Sequence, residues 1–156
     1  MRTIAELLEA CGVFEELSGE HLELVAGCGA NRTFHDGELL MKEGERADAF
    51  YVVRQGTVAL ETYVPQRGPL MIETLHDDDL LGWSWLVPPY LTHFDARALG
   101  VVRTVAFDGA CLRGKCEADP ALGYELMKRF AAVLTERLQA TRVRLLDVYG
   151  NVAGAR

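Results

Sequence analysis

The chain has 156 residues, 49% hydrophobic and 25% charged, with a formal net charge of −7 at pH 7. That is the composition of one ordinary globular domain, and its acidic balance disfavours nonspecific binding to nucleic acid or anionic membrane. No apolar run approaches the ~18 residues of a membrane span, and MRTIAELLEAC carries acids where a signal peptide needs a hydrophobic core, so a cytoplasmic location is expected.

Two short amphipathic helices are predicted at about 3–27. Ile4, Leu7, Leu8 and Cys11 fall at helical spacing, and Ser18 ahead of His21, Leu22 and Val25 reads as a capped start. From Arg32 the period changes. The runs RTFHDG, LLMKEGERAD, AFYVVRQG, TVALETYV and LMIETLHDDD are β-prone and broken by Gly and Asp. Turn signals recur often enough to predict an all-β sandwich or barrel over about 30–108. Gly37, Gly44 and Gly56 are expected where the chain reverses, and Asp77-Asp78-Asp79 reads as a solvated turn.

The stretch Leu80–Leu99, LLGWSWLVPPYLTHFDARAL, holds both tryptophans, Pro88-Pro89 and His93. A short helical turn after Gly82 would leave free backbone N–H groups, a seat for an anion. The prolines then forbid a long helix, and the chain re-enters as a strand. Trp83 and Trp85 flank Ser84, about 200° apart on a helical turn. They either plug the barrel or wall a planar ligand. His93 is a candidate pH-dependent anion donor or an exposed strand-edge residue. Arg97 either reaches the pocket from the next strand or pairs with Asp95 or another acid.

ARALGVVRTVAFD reads as two further strand-like runs, and a helical region follows at about 110–149. Within it Met127, Ala131, Leu134, Leu138, Thr141, Leu145 and Val148 alternate in steps of four and three, a heptad seam flanked by Lys128, Glu136, Arg137, Arg142 and Arg144. A helix of roughly 30 residues spans ~45 Å, more than a small barrel can cover, so the seam predicts a homodimer. Thr141 is its polar position, set to fix register or touch a ligand. Cys111 and Cys116 form a C-x4-C pair with Arg113 and Lys115 between them, and nearby cations raise thiol reactivity. The spacing is wrong for a zinc knuckle, although Cys11 and Cys28 could complete a set of four. His21, His35 and His76 are scattered. No catalytic motif is present, so no enzyme is expected.

Gly37-Glu-Leu-Leu, Gly44, Phe50–Val58, Ile72–Gly82, Ala118–Pro120 and Arg137–Gly150 together resemble the cyclic-nucleotide-binding domain of the Crp/Fnr sensor proteins, in the family's order and spacing. The resemblance implies a mainly β fold: a β-jelly-roll (double-stranded β-helix) barrel with N-terminal helices and a long C-terminal dimerisation helix. It also implies that a Glu for the ribose 2′-hydroxyl should follow Gly82, where Trp83 stands, and that the phosphate-binding Arg should fall at Thr92 or His93. Losing a charge-assisted bidentate contact of ~1.5–3 kcal/mol costs one to two decades of affinity, so tight cAMP or cGMP binding is not expected. Family transcription factors continue into a helix-turn-helix domain of on the order of 50 residues, whereas six residues follow Gly150, so DNA reading by that route is not expected either.

The resulting expectation is a stand-alone regulatory or sensor domain of cyclic-nucleotide-binding type. Its pocket is built from Gly82, Trp83, Trp85, Thr92, His93, Arg97 and Thr141, and it acts through an unidentified ligand or a partner protein. The alternatives are a redox or metal sensor using Cys111 and Cys116, and an interaction module with a vestigial pocket.

Overall fold

A computed structural model describes residues 2–154. The chain opens with α1 (Ile4–Glu9), a single 3-10 turn (Gly12–Phe14) and α2 (Gly19–Ala26). α1 begins where Thr3 and Glu6 cap each other reciprocally, each side chain accepting from the other's backbone N–H. Ser18 caps α2 by accepting from the His21 N–H.

Six antiparallel strands follow: β1 (Gly29–Phe34), β2 (Leu39–Met41), β3 (Ala49–Val64), β4 (Gly68–Leu75), β5 (Leu80–Leu81) and β6 (Asp95–Asp108). They run in the order β1-β6-β3-β4, with β2 added to β6 and β5 to β3. This is the expected jelly roll. The runs on either side of Gly56, however, are one strand and not two. Gly56 has φ +116°, and a Cβ there would lie 2.7 Å from the Val101 carbonyl oxygen, so it accommodates a shift in the β3–β6 ladder without reversing the chain. β6 is likewise continuous where two runs were predicted. Gly37 and Gly44 do sit in turns.

β3 explains its own apolar run, because both its faces are covered. Tyr51, Val53, Val58 and Leu60 point into the barrel with Phe34, Leu81, Phe94 and Val102. Phe50 and Val52 point outward to the helices, joining Leu8, Phe14, Val25, Trp85 and Phe107. The Phe50 ring stacks on Trp85 at 4.9 Å and on Phe107 at 4.6 Å, with Phe130 edge-on at 5.3 Å.

The chain leaves the barrel through α3 (Gly109–Ala118) into α4 (Pro120–Gly154). α4 faces the barrel with Leu122, Leu126 and Phe130, all buried, and then with half-buried Val133, Leu134 and Arg137. The predicted heptad seam lies about one residue round from that stripe, ~100° on a helix. Met127, Leu138, Leu145 and Val148 are accordingly each more than half exposed. Leu138 through Gly150 are exposed without exception. The seam as a whole therefore does not pack on its own barrel. Among the described residues no helix is long and apolar enough to cross a membrane.

Candidate functional site

The segment between β5 and β6 sets one wall of the site. Gly82 has φ +96°, a backbone conformation that favours glycine, and a Cβ at this position would have to displace the flexible end of Met41, whose Cε would lie 2.4 Å away. No helix starts there. Isolated turns form instead, with Leu86 N–H donating to the Trp83 carbonyl (3.1 Å) and Tyr90 N–H to that of Val87 (2.9 Å), and Pro88 and Pro89 supply no N–H to extend them. The helical turn expected to present an anion seat after Gly82 is thus replaced by isolated turns. α3 holds the segment in place: Arg113 Nη1 donates to the Trp85 carbonyl at 2.6 Å, and its guanidinium lies 4.4 Å from the Tyr90 ring centre.

Between this segment and α4 lies a cavity of about 260 Å³. Leu60 of β3, Ile72 and Glu73 of β4, Trp83 and Phe94 line one side, and Leu134, Arg137, Leu138 and Thr141 of α4 close the other. Larger clefts under α1 (about 430 Å³) and beside Arg129 (about 510 Å³) contain none of the predicted site residues.

Of the seven residues singled out, only Trp83 and Thr141 line this cavity. Trp83 is half-buried, packs against both the inner and the outer core, and meets Phe94 at 5.5 Å. Thr141 donates its hydroxyl to the Arg137 carbonyl at 2.8 Å, leaving its lone pairs free. Trp85 is fully buried in the aromatic stack, which is the plug and not the wall. Thr92 is also buried, its backbone paired with Gly44 and Glu45, and it borders a separate small cleft beside Tyr51. His93 is exposed. Arg97 pairs with Glu61 through Nε at 2.8 Å and donates to the Gly37 carbonyl at 2.9 Å, while Asp95 accepts from the Glu43 N–H instead.

Sequence reasoning gave Arg137 no role beyond flanking the seam. The available signal was its place four residues after Val133 and four before Thr141, on the continuation of the barrel-facing stripe. Its guanidinium lies 5.3 Å from the Trp83 ring centre, Nη2 donates to the Leu80 carbonyl, and Nε stands 3.8 Å from Glu73 Oε1. Nη1 is sealed from solvent with no hydrogen-bond partner. Burial pushes the guanidinium pKa down, and the charges of Glu73, Asp79 and Glu136 push it back. The cavity therefore offers one cation, one anion and one hydroxyl on otherwise apolar walls.

The cysteines are not arranged as predicted. Cys111 is bonded to Cys28, with Cα atoms 5.9 Å apart, and not partnered with Cys116. The fold brings the end of α2 beside the first turn of α3, whereas five residues along one helix put Cys116 on a different face. Cys11 and Cys116 are free thiols, and among the described residues no group of three or more His, Cys, Asp or Glu gathers at one point.

Residues 31–119 match the family model of the cyclic nucleotide-binding domain. The chain belongs to that family. A putative cyclic nucleotide-binding protein from Geobacter metallireducens superposes with a TM-score of 0.79 at 30% identity, over 88% of this chain and 99% of the other. A cyclic nucleotide-binding domain from Methylobacillus flagellatus gives 0.79 at 18% identity, over 93% and 82%. The catabolite activator protein of Thermus thermophilus gives 0.68 at 20%, over 88% of this chain and 62% of that one. The last two show shared fold alone. As a cyclic nucleotide-binding domain, this chain is of regulatory type.

Proposed function

We propose that this domain senses a small ligand in the cavity between Trp83 and α4, does not hold cAMP or cGMP tightly, and passes the bound state to a partner through α4. The observation that supports it is the cavity's ownership. Four of its nine lining residues belong to α4, and the remainder belong to the barrel and the 82–94 segment. A ligand there touches both bodies, so any difference in its affinity for two positions of α4 shifts the helix. The exposed seam of Met127, Leu138, Leu145 and Val148 is the surface through which two copies would pair, and the shift would reach the partner copy or a partner protein. No catalytic step is assigned.

A thermal-shift titration with cAMP and cGMP to millimolar concentration tests the pocket. Ligand at 100 times its dissociation constant stabilises by ~2.7 kcal/mol, a rise of several degrees for a chain of this size. No saturable shift is expected; one at micromolar nucleotide would mean that the site has been rebuilt for cyclic nucleotides. Sedimentation velocity tests the pairing, with Leu145→Glu expected to convert a dimer to a monomer.

A second reading rests on the Cys28–Cys111 bond. In the expected cytoplasmic setting such bonds are usually transient, catalytic or sensing, which would make this one a reversible redox element. Its test is whether glutathione buffers spanning the cytosolic range open and close it.

A further inference from the structure

We infer that the ligand of this cavity is a compact organic anion with a flat apolar body, and that its acid group is taken by Arg137 of α4 and not by the 82–94 segment. The inference rests on the reading of the cavity as the ligand site and adds the chemistry of what fills it.

Three observations converge. The first concerns the polar groups. Arg137 Nη1 is a buried side-chain donor without an acceptor, on a residue that lines the cavity. An unsatisfied buried donor costs ~1–3 kcal/mol, more when charged, and an acid delivered by a ligand removes that cost. The guanidinium can serve two acids at once. Its Nε edge already faces Glu73 at 3.8 Å, Nη2 is spent on the Leu80 carbonyl, and the two N–H bonds of Nη1 remain.

The second concerns the walls. Trp83 and Phe94 meet at 5.5 Å with their planes tilted by 53°, and Leu60, Leu134 and Leu138 close the remaining sides. Apart from Glu73, Arg137 and the Thr141 hydroxyl there is nothing to pair the many polar atoms of a sugar phosphate, which would be buried unsatisfied. At about 260 Å³ the cavity lies just below the ~300–1,000 Å³ of sites for drug-sized ligands, so the body must be compact.

The third concerns the place where the family's phosphate-binding Arg should stand. By the resemblance that place is Thr92 or His93; Thr92 is buried, His93 is exposed, and neither lines the cavity. The only cation lining the cavity among the described residues is carried by the helix.

The test uses the full chain and three probes of one shape: 1-naphthoate, its neutral isostere 1-naphthamide, and cationic 1-naphthylmethylammonium. Binding is read by tryptophan quenching and thermal shift. Naphthoate is expected to bind roughly 10–100-fold more tightly than naphthamide, the range of a charge-assisted contact. Arg137→Met should remove that preference while leaving naphthamide unchanged, Arg137→Lys should keep part of it, and Leu138→Trp, which fills the cavity, should abolish binding of every probe. Equal binding of acid and amide, or a preference for the ammonium through Glu73, overturns the anion while the loss in Leu138→Trp upholds the cavity. Naphthoate binding that survives Leu138→Trp, or no binding of any probe at millimolar concentration, overturns both. Should Arg137→Met fail to fold, the acid–amide comparison in the unaltered protein still decides.

Discussion

Arg137 and Trp83 lie against each other where both line the cavity, the guanidinium carbon 5.3 Å from the centre of the indole, a polar contact between α4 and the 82–94 segment. Above it, Leu126 and Phe130 bury α4 against the outer core; beyond it, the helix runs out exposed. Arg144, one more stretch along, reaches only the Ile72 carbonyl of β4. A ligand resting against Trp83 and Arg137, as proposed, would touch α4 where the helix passes from buried to exposed.

The two tryptophans should separate cleanly by what their loss costs. Trp85 is fully buried and stacked on Phe50, so Trp85→Ala is expected to cost ~3–5 kcal/mol and lower the melting temperature by on the order of 10 °C. Trp83 is half-buried at the cavity edge, so Trp83→Ala should melt several degrees higher than Trp85→Ala but weaken binding of any cavity ligand. Calorimetric melts of both variants decide; equal losses would mean that Trp83 is a core residue first.

His93 is one of the two positions, with Thr92, where the resemblance puts the family's phosphate-binding residue, and it is exposed and off the cavity. His93→Ala is expected to change stability by less than ~0.5 kcal/mol and to leave ligand affinity unchanged. A tenfold loss of affinity would return His93 to the site.

The fold was legible because β-prone runs, glycine turns and the long helical tail each carry a local signal. What escaped was geometry that no local signal encodes. Gly56 looks like a turn residue, and only the Val101 carbonyl on β6 explains why it stays within a strand. Cys111 invites pairing with Cys116 in sequence, but α2 delivers Cys28 from 83 residues away. Among the residues lining the cavity, Trp83 and Thr141 drew notice because an aromatic and a polar seam position stand out, whereas Arg137 resembles any charged flank until the helix stripe is known. Trp85 drew notice by type, Thr92 by its place in the resemblance and Arg97 by its position on the next strand; the fold buries the first two away from this cavity and pairs the third with Glu61.

The disulfide makes a countable prediction. Of four cysteines, Cys11 and Cys116 are free, so the denatured oxidised chain should titrate two thiols and the reduced chain four. The bond closes a loop across 83 residues, for which chain entropy gives at most about 4–5 kcal/mol. Reduction, or Cys28→Ala, should therefore lower the melting temperature by several degrees. Burial also raises the pKa of the Cys11 thiol, with Asp78 and Asp79 adding to it against backbone N–H groups that lower it, so Cys11 should react with thiol reagents far more slowly than a free peptide thiol at pH 8. Four titratable thiols in unreduced protein would mean that the bond does not form in solution.

Alkaline pH probes the barrel interior. The Tyr51 hydroxyl is buried and donates to the Leu40 carbonyl at 3.3 Å; burial raises its pKa, and Arg32 pulls it partly back. A proton held more tightly in the folded state than in the unfolded one gives stability that is complete below the unfolded value and lost as pH rises through the folded one. For tyrosine the loss begins above about pH 10, and for the similarly raised Cys11 it begins above about pH 8.5. Stability measured by urea unfolding should therefore be flat from pH 7 to about 8.5 and fall beyond it. Tyr51→Phe is expected to start about 1 kcal/mol lower at neutral pH, having lost its hydrogen bond, and then to fall less steeply above pH 10. Parallel curves for the two proteins would show that the phenol ionises as freely inside the barrel as outside it.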